Sequence, residues 1–266
     1  MFFSLSTWML VLVLAGIMFG ATLVGLWAGS RVRDRRDNLR DHLGVVQGAL
    51  LTLVALVLAF GLAMAVGRHD ARRAAVVNDA NAIGTAYLRA QTLAEPERSA
   101  SLQLLRDYTR ESLHLSDTVP GSTAQKRAIS VGTEIQRELW RYAGQALAAA
   151  PADSAPRLYT ESLNEMIDMQ TTRVAALNNR VPSAIVLFEV AGAAGALALL
   201  ALYLALLSRG TFAALLTASM LTLLLFVSLD LDRPTRGFIQ IPSTPLTALQ
   251  DSMEMPPAAT RPSFSP

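Results

Sequence analysis

Cysteine is absent from the 266 residues, which removes disulfides, thiolate nucleophiles and cysteine metal sites. Histidine occurs only at His42, His69 and His114, too scattered for a shared site, so neither metal nor cofactor is expected. Lysine occurs once, at Lys126, and arginine supplies the rest of the 23 basic residues. The isoelectric point near 9.3 therefore reflects arginine chemistry, because 21 acidic residues leave a net charge of only +2. No strongly basic face can be built from that balance, which argues against a nucleic-acid partner. Also missing are a GxSxG elbow, a phosphate-cradling glycine loop and a histidine–carboxylate pairing that repeats a known active site. No catalytic residue is assigned, and no enzyme activity is expected.

What the chain has instead is apolar length. Hydrophobic residues make up 52% of it, and the mean hydropathy of +0.36 is too high for an ordinary soluble domain. No charged side chain occurs before Arg31, and the run from Trp8 to Gly29 is almost wholly apolar, enough to cross a hydrocarbon core of about 30 Å as a helix. The amino end of that run carries no basic residue and its apolar stretch is longer than a secretory signal core, so it is expected to persist as a helix. The pattern predicts an all-α membrane protein with four transmembrane helices in two hairpins and a helical bundle domain between the second and third. The expected boundaries are a first span over 1–30, a basic loop over 31–43, a second span over 44–67, a polar domain over 68–182, a third span over 183–208, a fourth over 210–230 and a tail over 231–266. The tail ends in Pro256, Pro257, Pro262 and Pro266, a composition that predicts disorder there.

The polar insert holds 14 basic and 13 acidic residues in 115, too long for a structureless connection. Its first helix continues the second span to about Gln91, with Val77, Ala80, Gly84, Tyr87 and Leu88 on one face. Glu95-Pro96 breaks it. A second helix over about Glu97 to Leu115 aligns Leu102, Leu105, Thr109 and Leu113, and Pro120-Gly121 ends it. A third over about Thr123 to Ala149 aligns Ile135, Leu139, Tyr142 and Ala146, and a fourth over about Ala155 to Asn179 aligns Leu163, Ile167, Gln170, Val174 and Leu177. Four such stripes can bury one another as a bundle.

Several polar residues stand out, each with two readings. Asn78, Asn81, Thr85 and Arg89 fall on one narrow helical stripe, which either lines an ion or solute path or hydrogen-bonds neighbouring helices. Arg68, Arg72 and Arg73 follow the second span directly, where they attract anions or lipid phosphates, or simply anchor the helix end. Glu189 lies inside the third span; an intramembrane carboxylate is a functional candidate by default, although it is near enough the interface to pair with Arg180 or be hydrated. Its neighbours Ala191, Gly192, Gly195 and Ala196 have the small-residue spacing of close helix packing. Phe60, beside Gly61, either narrows a pore or packs. Asp230 and Asp232 close the fourth span within reach of Arg233 and Arg236.

Four segments look familiar together: RHDARRAAVVNDANAIGTAYLRAQTL after the second span, LQLLRDYTRESL, NEMIDMQTTRVAALNNRVP before the third, and LDLDRPTRGFIQI after the fourth. They resemble a family of bacterial membrane proteins grouped as bestrophin-like, over most of residues 44–245. Asp79 departs from the glutamate expected in that pattern, keeping the charge on a shorter arm. The resemblance implies four membrane helices, membrane lipids as partners and residence in the bacterial inner membrane. The wider likeness to bestrophins implies a homo-oligomeric anion channel whose second helix lines the pore, with Phe60 as its constriction and Asn81, Thr85 and Arg89 along an inner vestibule. The alternative is a non-conducting sensor or scaffold whose helical domain binds a ligand or partner. Sidedness has two readings as well. Short-loop charge favours residues 31–43 as cytoplasmic, whereas the likeness places the 68–182 domain in the cytoplasm; the total of seven basic residues on the domain's side against six permits the latter, which we adopt.

Overall fold

The computed structural model describes residues 6–32, 38–207 and 210–257. Arg33, Arg35, Arg36, Arg209 and the end of the tail expected to be disordered lie outside the described residues, as does the side chain of Arg40. Among the described residues the secondary structure is entirely helical: α1 (Thr7–Val32), α2 (Asn38–Ala90), α3 (Glu97–Asp117), α4 (Thr123–Ala149), α5 (Ser154–Asn178), α6 (Ser183–Leu206), α7 (Thr211–Leu231) and α8 (Thr244–Glu254). Four of them are long and apolar enough to cross a membrane: α1, the apolar part of α2, α6 and α7. The protein is thus an all-α membrane protein with two hairpins of spans and a helical domain between them.

The chain divides into two compact units, Met1–His69 with Arg180–Gln240, and Asp70–Asn179 with Ile241–Pro266. In the first, α1 packs on α6 and α7, which also pack on each other. The buried face of α1 is a single stripe, Leu10, Leu14, Met18, Thr22, Gly25 and Gly29, while Trp8, Leu12, Leu23 and Trp27 point outward. Apolar residues on both faces are what a lipid-embedded helix requires, because lipid tails solvate the outer one. The glycines earn their place by close approach. A Cβ at Gly29 would lie 2.6 Å from the Leu202 carbonyl oxygen and 2.7 Å from Ala205 Cβ, and one at Gly25 would collide with the Ala198 carbonyl oxygen. The tight small-residue contact therefore runs from Gly25 and Gly29 of α1 to α6. Expected spacings at Ala191, Gly192, Gly195 and Ala196 contribute less: a Cβ at Gly195 would meet nothing within 4 Å, although Ala196 is fully buried. Gly210, directly before α7, has φ +102°, a conformation that only glycine adopts cheaply.

The second unit is a bundle of the carboxyl part of α2 with α3, α4, α5 and α8, around Ile83, Leu105, Leu139, Leu163 and Leu246. Ser122 caps α4 by accepting the Gln125 N–H at 3.1 Å, satisfying one of the donors a helix start leaves open. One expectation changes here. Of the expected face, Ala80 and Tyr87 are buried, whereas Val77 and Leu88 are exposed; the buried seam of α2 also takes in Ala75, Val76, Asp79, Ile83, Ala86 and Ala90. The tail contains a helix, α8, whose Pro245 sits in the first turn, where a missing N–H is harmless. Leu246 and Met253 of α8 are buried, and Tyr87 donates to the Met253 carbonyl at 3.1 Å.

Candidate functional site

In the membrane unit α2 has two distinct faces. Val54, Leu58, Gly61 and Ala65 are buried at spacings of four, three and four, while Leu53, Leu56, Phe60 and Met64 are exposed, Phe60 at 64%. A phenyl ring projecting from a single chain needs lipid, a second chain or a pore in front of it.

In the bundle unit the polar stripe has a mixed fate. Asn78 and Asn81 are exposed, and Thr85 and Arg89 are half-buried. Arg89 is held in place, donating to the Leu158 carbonyl at 2.7 Å with Glu161 3.8 Å away. Arg72 differs from its expected role as an anion or lipid contact. It is buried and donates through Nε to the Ala176 carbonyl at 3.1 Å and through Nη2 to the Asn179 carbonyl at 2.5 Å. These groups lie at the carboxyl end of α5, where unsatisfied carbonyls and the helix dipole favour a cation. Arg73 is exposed and Arg68 half-buried.

Sequence reasoning missed an extended buried polar constellation. Asp79 and Arg173, both essentially without solvent contact, form an ion pair at 2.7 Å. Ser112 donates to the same Asp79 oxygen at 2.8 Å, and Arg173 also reaches the Ser112 carbonyl at 3.0 Å and Ser116 Oγ at 2.6 Å. Gln136 donates to the Tyr108 hydroxyl at 3.0 Å and also bonds Gln170. The cluster thereby takes side chains from α2, α3, α4 and α5. Burial, with the Asp79 charge in support, drives the Tyr108 phenol far above its ordinary range, so it stays protonated. Tyr159 is likewise pushed up to about 12, by burial. The sequence signals for this cluster were the carboxylate at Asp79 and the place of Gln170 on the apolar stripe of α5; Arg173 was not on that stripe and gave no cue.

Glu189 is 5% exposed in α6 and lies against α2. A Cβ at Gly61 would collide with its Oε1 and come within 2.9 Å of its Cδ, so the absent side chain at 61 is what makes room for the carboxyl group. Glu189 also lines a cavity of about 270 Å³ with Leu53, Val54, Val57, Leu58 and Phe188. Beyond α7, Asp230 Oδ2 accepts the Ile239 N–H at 2.9 Å and Asp232 Oδ2 accepts the Val181 N–H at 2.8 Å. Both carboxylates thus fasten the chain leaving α7 and the start of α6. Among the described residues no three His, Asp or Glu side chains gather as a metal site.

These features define a multi-pass α-helical membrane protein with a bundle inserted between its second and third spans. The chain belongs to the bestrophin-like family: the model described as Bestrophin-like domain matches residues 16–246. Its fold is similar to that of a bacterial bestrophin homolog from Klebsiella pneumoniae. A variant of that protein carrying a tyrosine-to-alanine change is 13% identical over 89% of this chain and 97% of that one, with a TM-score of 0.67. A leucine-to-threonine variant is 15% identical over 90% and 97%, with a TM-score of 0.68, and a structure phased on zinc gives 14%, 88%, 95% and 0.64. No curated protein matches the sequence. At such identities the structural likeness is one of fold, and function must be argued from the site.

Proposed function

We propose that the protein is a homo-oligomeric anion channel of the bacterial inner membrane, with α2 of each copy facing the pore. The observation that carries this reading is the exposure of Phe60 on a helix whose opposite face is packed, in a chain of the bestrophin-like family. In an assembly, that face of α2 turns towards the axis and the Phe60 rings form the constriction. The exposed amides of Asn78 and Asn81, with Thr85, line a polar vestibule that can exchange hydrogen bonds with a partly dehydrated ion, and Arg73 adds an exposed positive charge. The outward apolar faces of α1 and α7 contact lipid. Halide efflux from liposomes containing the purified protein tests the proposal against empty liposomes. Phe60→Ala removes the constricting ring and should raise the flux several-fold. Absence of flux from monodisperse, oligomeric wild-type protein overturns the channel and favours the sensor or scaffold, which the even charge balance of the domain supports by offering no strong anion funnel.

On sidedness, the proposal places the bundle in the cytoplasm. Lys126→Cys is the suitable probe because position 126 is exposed on α4 and the natural chain offers no competing thiol. An impermeant maleimide should label it only after cells are permeabilised. Labelling of intact spheroplasts would put the bundle outside.

A further inference from the structure

The carboxyl group of Glu189 is unexplained by the pore, which the other face of α2 serves. A carboxylate in the hydrocarbon region needs a proton or a cation to offset its desolvation. Yet among the described residues Glu189 makes no hydrogen bond or ion pair, while the residue is only 5% exposed and borders an otherwise apolar cavity of about 270 Å³. An apolar cavity of that size stays dry or takes an apolar guest, as water gains too few partners in it. Its volume is near the lower end for small-ligand sites, about 300 Å³. The two walls differ in character: Leu53, Val54, Val57 and Leu58 come from α2, and Phe188 with Glu189 from α6. Exposed Phe188 stands where a guest would enter from the bilayer.

We infer that this cavity between α2 and α6 binds an aliphatic primary amine, its hydrocarbon tail against the leucine and valine wall and its ammonium paired with Glu189. Charge complementarity selects the amine. A neutral tail would fill the cavity equally well but would leave the carboxyl group unpaired, whereas an ammonium donates to it directly in a medium of low dielectric, where such a pair is strong. The glycine at position 61 holds the carboxyl group at the cavity edge by leaving space for it. The assignment stands whether or not the protein is a channel.

Decylamine and decanol, which share a tail and differ in the head group, are the probes. Each is added to the protein in nonionic detergent at pH 7, with thermal unfolding and native mass spectrometry as readouts. Decylamine should raise the melting temperature by several degrees and appear as one adduct per chain, and decanol should do markedly less. Glu189→Gln should bring the amine down to the level of the alcohol. Leu53→Trp, which fills the cavity and leaves the carboxyl group in place, should abolish both effects. Equal shifts for the two probes in wild-type protein, or an amine preference that survives Glu189→Gln, would overturn the assignment. So would a failure of either probe to bind because a second copy of the chain covers the cavity.

Discussion

Arg173→Met is expected to destabilise the helical bundle by about 3–5 kcal/mol, because it strands the Asp79 carboxylate in a solvent-free site. Asp79 is fully buried, and one of its oxygens already lacks a hydrogen-bond partner. Without the guanidinium, the other would retain only the Ser112 hydroxyl at 2.8 Å. A loss of that size is a large part of the roughly 5–15 kcal/mol by which a domain is stable, and it should appear as a much lower unfolding midpoint in circular dichroism of the purified protein. The pair itself need not be worth that much, since two charges were desolvated to make it. Asp79→Leu combined with Arg173→Met should therefore recover most of the loss. Arg173→Lys should fall between, as an ammonium keeps the charge but cannot span Asp79, Ser112 and Ser116 in the way a planar fork does. A single Arg173→Met variant as stable as wild type would mean that Asp79 is served by water or a proton instead.

That cluster also marks where sequence stops being informative. The punctuation was legible: Glu95-Pro96, Pro120-Gly121 and Pro182 interrupt the helices where the backbone cannot continue, and α4 forms over Thr123–Ala149 as its pattern predicts. Four apolar runs of spanning length were equally plain. The rotation of each helix was not, because in a protein with lipid or partner chains around it an apolar residue can face either way. Val77 and Leu88 repeat at helical spacing and yet are exposed. Buried polar contacts were hidden for a different reason. Asp79 and Arg173 are 94 residues apart, and nothing local distinguishes Arg173 from the exposed arginines, nor Arg72 from its neighbour Arg73. Family resemblance pointed to the helix bearing Phe60 and the polar stripe, but not to the cavity beside Glu189, whose walls come from two spans far apart in sequence.

Gly25→Leu should have the second large effect, and its cause lies in how membrane helices associate. Within lipid the hydrophobic effect does not drive two helices together, so contact depends on backbones approaching closely enough for dispersion and weak hydrogen bonds to accumulate. In α1 that approach is concentrated at Gly25 and Gly29, one turn apart on the face towards α6. Most atoms a side chain would strike there belong to the backbone or to Cβ groups. Neither can swing aside as the end of a flexible side chain would, so the helices must separate. Overpacking in an adjustable core costs about 1–3 kcal/mol; against a rigid backbone the cost should reach or pass the top of that range. The expected result is a steep loss of monodisperse protein in size-exclusion chromatography after detergent extraction. Gly16→Leu, a control on the same helix where a Cβ would meet nothing within 4 Å, should behave as wild type. If the two variants behaved alike, the close approach of α1 to α6 would not be what holds the spans together.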